Sequence, residues 1–158
     1  MTYVIRDATA HDAAIVMSLV RELAEFERLA HEVAGDEAML RDALASGHSA
    51  ALLAEENGEA IGFALFFYNF STFLARRGLY LEDLYVKPAH RKRGVGRAML
   101  RRLARLAVDN GCGRFEWAVL DWNENALRFY EGIGAKPIKE WIICRLTGEP
   151  LRALANEE

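Results

Sequence analysis

The stretch YLEDLYVKPAHRKRGVGRAML, Tyr80 to Leu100, reads as a strand, a short turn and the opening of a helix. LYLEDLYV is apolar at most positions and Pro88 closes it, since proline cannot donate to a sheet ladder. From Gly94 to about Asn110, Val95, Met99, Leu103, Leu106 and Ala107 fall on one helical face, with arginines mostly on the other, and Gly111 marks the stop. The turn between them matters chemically. The first turn of a helix leaves backbone N–H groups unpaired and carries about half a positive charge, so an anion fits there. Gly94 and Gly96 remove the side chains that would hold an anion's oxygens away, while Arg91, Lys92, Arg93 and Arg97 add charge-assisted donors.

The pattern R-x-x-G-x-G is thus a pyrophosphate cradle, with two other readings beside it: a solvated helix face and a nucleic-acid patch. Arg101, Arg102 and Arg105 extend the basic run, but no aromatic residues are interleaved for base stacking and the whole chain carries a net charge of −3. A Walker phosphate loop needs a GK[ST] ending, and a dinucleotide fingerprint needs a third glycine, where this chain has Ala98 and Met99.

Outward from this stretch, the elements alternate. TYVIRDA alternates as a strand, Thr9 and Asp12 open a helix to about Arg28, and DEAMLRDALA makes a second helix. SAALLAEE and EAIGFALFFYNF flank Asn57-Gly58 and form a hairpin, because Asn-Gly supplies the positive φ angles of a two-residue turn. After the long helix come a strand RFEWAVLD, a helix starting near Asn123 and a last strand IKEWIICRL. The sum is a mixed α/β (α+β) fold, with an antiparallel N-terminal sheet and about four helices.

At 158 residues, with 52% hydrophobic residues and three prolines, the expected organisation is one domain, 1–158. No apolar run approaches a membrane span and the first residues lack the pattern of a signal peptide, so the expected compartment is the cytoplasm. Cys112 and Cys144 read as buried small hydrophobes. His11, His31, His48 and His90 show no metal-ligand spacing, so no metal is expected.

Glu82 and Asp83 stand side by side in an otherwise apolar strand. Neighbours on a strand face opposite ways, so at least one carboxylate turns inward or to a cleft, unless this is an edge strand that exposes both. The functional reading is a general base beside an anchor for a cation. Downstream, Asn123 is a helix cap and Tyr130 lies two turns later, either in the core or as a proton donor whose ordinary pKa of about 10 keeps its proton at neutral pH.

The order of elements, RKRGVGRAM after LYLEDLYV, and AVLDWNENALRFYEGIGA together resemble the acetyl-CoA-dependent GNAT acetyltransferases. YLED and LDWN with Tyr130 resemble, more narrowly, the diamine (spermidine/spermine) acetyltransferase branch and its thialysine-acetylating relatives. The resemblance runs from VIRDAT through ELAEFE to TGEPLRALA. It implies the GNAT acyl-CoA N-acyltransferase fold and transfer of acetyl from acetyl-CoA to a primary amine of a small cationic metabolite, a diamine, polyamine or lysine-like amino acid. A protein lysine or an aminoglycoside amine is the alternative acceptor, and a non-catalytic CoA- or nucleic-acid-binding module the alternative outside enzymes.

On this resemblance the backbone of Leu84, Tyr85 and Val86 would pair with the pantetheine arm as an added strand. Arg91, Lys92, Arg93, Gly94, Val95, Gly96 and Arg97 would hold the pyrophosphate, and Asn123 and Tyr130 would contact the cofactor. Tyr130 would be the general acid and Glu82 the base, through water. Phe26 and Glu27, with Glu82 and Asp83, would receive the amine, and the protein would be a homodimer with no nucleic-acid or membrane partner. Lys92 stands where many relatives carry glycine, Phe26 where polyamine enzymes tend to have tyrosine, and the loop KPIKE is shorter than in the animal enzymes.

Overall fold

The computed structural model of the protein describes residues 2–158, and the chain divides into two compact units, Met1–Ala118 and Val119–Glu158. The first holds a five-stranded sheet in the order β1 (Tyr3–Asp7), β2 (Ala50–Glu56), β3 (Glu59–Ser71), β4 (Arg76–Val86) and β5 (Phe115–Trp117). The first four strands pair antiparallel, and β5 pairs parallel with β4, so the sheet is mixed as the alternation of elements predicts. The β2–β3 turn is the expected one: Asn57 and Gly58 take φ angles of 53° and 81°.

Helices α1 (Ala13–Phe26), α2 (Glu37–Ser46) and α3 (Val95–Asp109) complete this unit. A short 3-10 turn, Ala10–Asp12, precedes α1; there Asp12 accepts from the Thr9 amide at 2.7 Å and from both terminal nitrogens of Arg6 at 2.9 Å. The Arg6 guanidinium holds the Asp12 carboxyl down at about 2, which ties β1 to the start of α1. Asp36 caps α2 through the Met39 amide at 2.9 Å, and left-handed Gly47 ends it.

Two apolar layers cover the sheet. One packs Val16, Leu19 and Leu23 of α1 against Leu53, Phe63 and Tyr85. In α3, Val95, Met99, Leu100, Leu103 and Ala107 are buried. Close packing needs glycine at 62, where a Cβ would lie 2.7 Å from the Tyr85 carbonyl oxygen.

The second unit contains α4 (Glu124–Gly132) and α5 (Gly148–Ala155). The strand expected over IKEWIICRL is not formed: among the described residues this unit contains no strand to pair with, and three consecutive apolar residues give the segment no single buried face. Trp141, Ile142 and Ile143 are 78%, 85% and 72% exposed. The expected strand RFEWAVLD shortens to Phe115–Trp117, and α5 is a helix that the expected order of elements lacks. Thr147 before Glu149 and Pro150 was its available start signal. The cysteines differ from expectation too, Cys112 being half-buried and Cys144 exposed. No helix among the described residues is long and apolar enough to cross a membrane.

Candidate active site

β4 carries the site because its two edges are used differently. One edge pairs with β3 along its length, but the ladder to β5 covers only Leu79, Tyr80 and Leu81. Over residues 82–86 the other edge has no strand beside it among the described residues. The Lys87 amide donates to the Ile61 carbonyl at 2.9 Å, so by antiparallel alternation Tyr85 turns its backbone to β3, and Leu84 and Val86 turn theirs to the open edge. Arg91 Nε donates to the Val86 carbonyl at 2.8 Å. The open edge therefore offers the N–H and C=O of Leu84 and the N–H of Val86.

A bulge resets the carboxylates. Leu65 pairs with Asp83 and Phe66 with Leu81, leaving Glu82 as the extra residue. Directly opposed residues share a face, so Asp83 lies on the same face as Leu65, next to the cluster that α1 covers. Glu82 is exposed and Asp83 is half-buried. Burial, and then the like charges of Glu82 and Glu27, push the Asp83 carboxyl up from 3.8 to about 6. Glu27, the residue that closes α1, is also raised by burial. Glu27 and Asp83 are thus two half-buried acids within electrostatic reach of each other.

The turn after β4 is a backbone device. A 3-10 turn, Pro88–His90, leads to Lys92 and Gly94, whose φ angles are 62° and 81°. Val95 is buried, and Arg97 and Lys92 are exposed with no ion pair among the described residues. Arg91 spreads its guanidinium over the rings of Phe26 and Tyr85, 4.8 and 5.5 Å from their centres. Arg93 pairs with both Glu56 oxygens, at 2.6 and 3.1 Å.

The acetyltransferase (GNAT) family model matches residues 17–135, which include the edge, the turn and the acids. The chain belongs to the GNAT acetyltransferase family. It is 37% identical to the thialysine N-epsilon-acetyltransferase of Mus musculus over 96% of each chain. It is 50% identical to an L-ornithine N5-acetyltransferase of Arabidopsis thaliana over 59% of this chain, a match spanning 41% of that longer protein. Among solved structures, an integron cassette protein from the mobile metagenome of V. cholerae superposes with a TM-score of 0.83, at 27% identity over 99% of both chains.

GNAT acetyltransferases use acetyl-CoA, and the turn fits its pyrophosphate. At Gly96 a Cβ would meet only Val86 Cγ2, at 3.8 Å, and at Gly94 only the Tyr3 hydroxyl, at 3.9 Å. Among the described residues, nothing outside the local backbone comes closer to these two positions. Not every expected charge is available there: Arg91 is committed to Val86 and two rings, and Arg93 to Glu56, leaving Lys92 and Arg97. Phe26 is 43% exposed at the end of α1.

The acetyltransferase's second unit holds the other two expected residues. Asn123 caps α4, its side-chain oxygen accepting from the Ala126 amide at 3.2 Å, so its NH2 is the donor it retains for a ligand. Tyr130 is half-buried beside Phe129, ring centres 5.6 Å apart, and its carbonyl accepts from the amides of Ile133 and Ala135 as the helix ends. Two contributors had no signal in the sequence: Glu22, which accepts from the Tyr85 hydroxyl at 3.1 Å and lies 3.6 Å from the Lys87 ammonium, and Glu56. Both act across long stretches of chain.

Proposed function

We propose that this chain is a single acetyltransferase domain, 1–158, that moves acetyl from acetyl-CoA to the primary amine of a small cationic metabolite, a diamine, a polyamine or a basic amino acid such as thialysine or ornithine. The observation that carries the reading is the juxtaposition on β4. An open edge of backbone donors runs into an anion-binding helix start, and Asp83 with Glu27 makes a half-buried negative site alongside. The named activities of the thialysine and ornithine relatives support the same substrate class.

Bound acetyl-CoA supplies the acetyl group as a thioester. The amides of residues 94–97, with Lys92 and Arg97, hold its phosphates. The C=O of Leu84 and the N–H of Val86 hold the arm as an added strand, and Asn123 offers its NH2. Glu27 and Asp83 bind the ammonium form of the acceptor. An alkylammonium with a pKa of about 10.4 is almost wholly protonated at pH 7, and removing its proton costs about 4 kcal/mol. Glu82, exposed beside Asp83, would take that proton through water; as the free nitrogen bonds to the acyl carbon and the carbon–sulfur bond breaks, the Tyr130 hydroxyl would protonate the departing sulfur and recover its proton from the newly bonded nitrogen. The Leu84 amide, facing the open edge, is the backbone donor for the acyl oxygen.

The protein works as a homodimer in the cytoplasm, without nucleic acid or membrane. Phe70, Phe73 and Leu74 at the β3–β4 tip are 59%, 98% and 48% exposed, an apolar patch that a second copy would cover. Two free thiols suit a reducing compartment. An acetyl-CoA consumption screen over putrescine, spermidine, lysine, thialysine, ornithine and small aminoglycosides tests the substrate class. Turnover confined to aminoglycosides, or CoA-independent binding to a DNA duplex, would refute it. Light scattering on the eluting protein tests the dimer.

A further inference from the structure

Arg93 lies at the centre of the basic run, yet its guanidinium is turned back on the sheet. It donates to Glu56 Oε1 at 2.6 Å and Oε2 at 3.1 Å, and to the Thr2 hydroxyl at 3.3 Å. Thr2 in turn donates to Glu56. His90 Nδ1 sits 3.0 Å from Arg93 and 3.2 Å from Glu56 Oε2. Protonated on Nε2 it accepts from the guanidinium, and carrying a proton on Nδ1 it donates to the carboxylate. The Glu56 side chain is only 13% exposed, although it ends a strand beside a turn. Nothing in the chemistry of acetyl transfer uses it.

Its position explains it. Glu56 is the last residue of β2, paired with Tyr3 on one side and Glu59 on the other, so it is fixed to the rigid sheet. The turn it grips is not rigid by itself. Lys92 holds a left-handed φ of 62° without being glycine, which is tolerated only where the surroundings enforce it. The flanking residues do so from two sides, Arg91 through the Val86 carbonyl and Arg93 through Glu56. Lys92 is left between the two anchors with its ammonium exposed.

We propose that Glu56 is a positioning residue for the anion site, holding Arg93 and His90 so that the amides opening α3 stay aimed at the phosphates, and that Arg93 serves this clasp rather than the phosphates. The proposal deepens the acetyl-CoA reading and rests on it for the identity of the anion. It inverts the simple reading of the basic run. Two of its charges are struts, and the ligand meets Lys92, Arg97 and the backbone.

Glu56→Ala, Arg93→Ala and the double variant test it, by titration with CoA, by steady-state kinetics and by amide hydrogen exchange of residues 92–97 in the free protein. Glu56→Ala should weaken CoA about tenfold through lost preorganisation and raise KM for acetyl-CoA alike, with kcat at saturation within about twofold. Arg93→Ala should match it, and the double variant should be no worse than either, because both remove one clasp. Exchange at 92–97 should quicken in all three. Tighter CoA binding by Glu56→Ala, or a far larger loss in Arg93→Ala, would mean that the guanidinium is a phosphate ligand and would overturn the clasp. Unchanged exchange would overturn it as well. Quickened exchange in a protein that binds no CoA would instead refute the acetyl-CoA reading and leave the clasp standing. Should Glu56→Ala fail to fold, Arg93→Ala carries the same comparison from the other side of the pair.

Discussion

Replacing Asp83 by asparagine should stabilise the free protein near neutral pH while removing its affinity for cationic amines. The structure sets the size of the effect. Burial and the charges of Glu82 and Glu27 raise the Asp83 carboxyl from 3.8 to about 6. Roughly two pH units at about 1.4 kcal/mol each give an upper bound of about 3 kcal/mol against the ionised folded form. The sign follows from proton counts: between about pH 4 and 6 the folded state holds a proton that the unfolded state has lost, so stability falls as pH rises through that window. The amide in Asp83→Asn never ionises. The difference between variant and natural protein should therefore be near zero at pH 4, grow through pH 5 and level off above pH 6, at about 2 kcal/mol once the cost of burying an amide is subtracted. Urea unfolding at pH 4, 5, 6 and 7 measures it. A saturating diamine should narrow the gap at pH 7 by stabilising the natural protein alone. A difference that is constant with pH, or that is largest at pH 4, would refute the assignment of Asp83 as a buried, frustrated carboxylate.

Glu27→Gln removes one of the like charges acting on Asp83, so the acidic limb of the pH profile of kcat/KM should move to lower pH; a fixed limb would separate Glu27 from the amine site. Gly96→Val should fold with an unchanged or slightly higher Tm, since its Cβ meets only Val86 Cγ2 at 3.8 Å, yet lose CoA binding by at least about tenfold because its branches enter the anion's space. Retained CoA affinity in calorimetry would move the phosphates elsewhere. Tyr130→Phe should cut kcat by about a hundredfold or more with CoA affinity nearly intact, as for loss of a general acid. Unchanged turnover at saturation would return Tyr130 to a packing role.

Local signals carried much of the fold. The Asn57-Gly58 turn, the apolar face of α3 and the helix over DEAMLRDALA each depend on residues a few positions apart, and each formed where the pattern placed it. The glycine turn follows from one short stretch, whereas the open edge of β4 depends on β5 ending at Trp117. What stayed hidden depends on distant neighbours. The bulge at Glu82 arises from the register with β3, so simple alternation could not tell which acid faces α1. The basic residues Arg91, Lys92, Arg93 and Arg97 look alike in sequence, and only the Val86 carbonyl and Glu56 set Arg91 and Arg93 apart from the other two. The segment 138–146 has the composition of a strand, but a strand exists only beside another, and none lies within its unit among the described residues.

The Arg91 contact with Val86 has one more consequence, for solubility. A bare strand edge is a template on which foreign chains can add, and β4 has no strand beside residues 82–86 among the described residues. Arg91 stoppers the last acceptor of that edge, and the bulge at Glu82 breaks its line at the other end. The run left between them is about two residues long, too short to seed an intermolecular sheet, so the same two features that bound the open edge also protect the enzyme from sticking to itself.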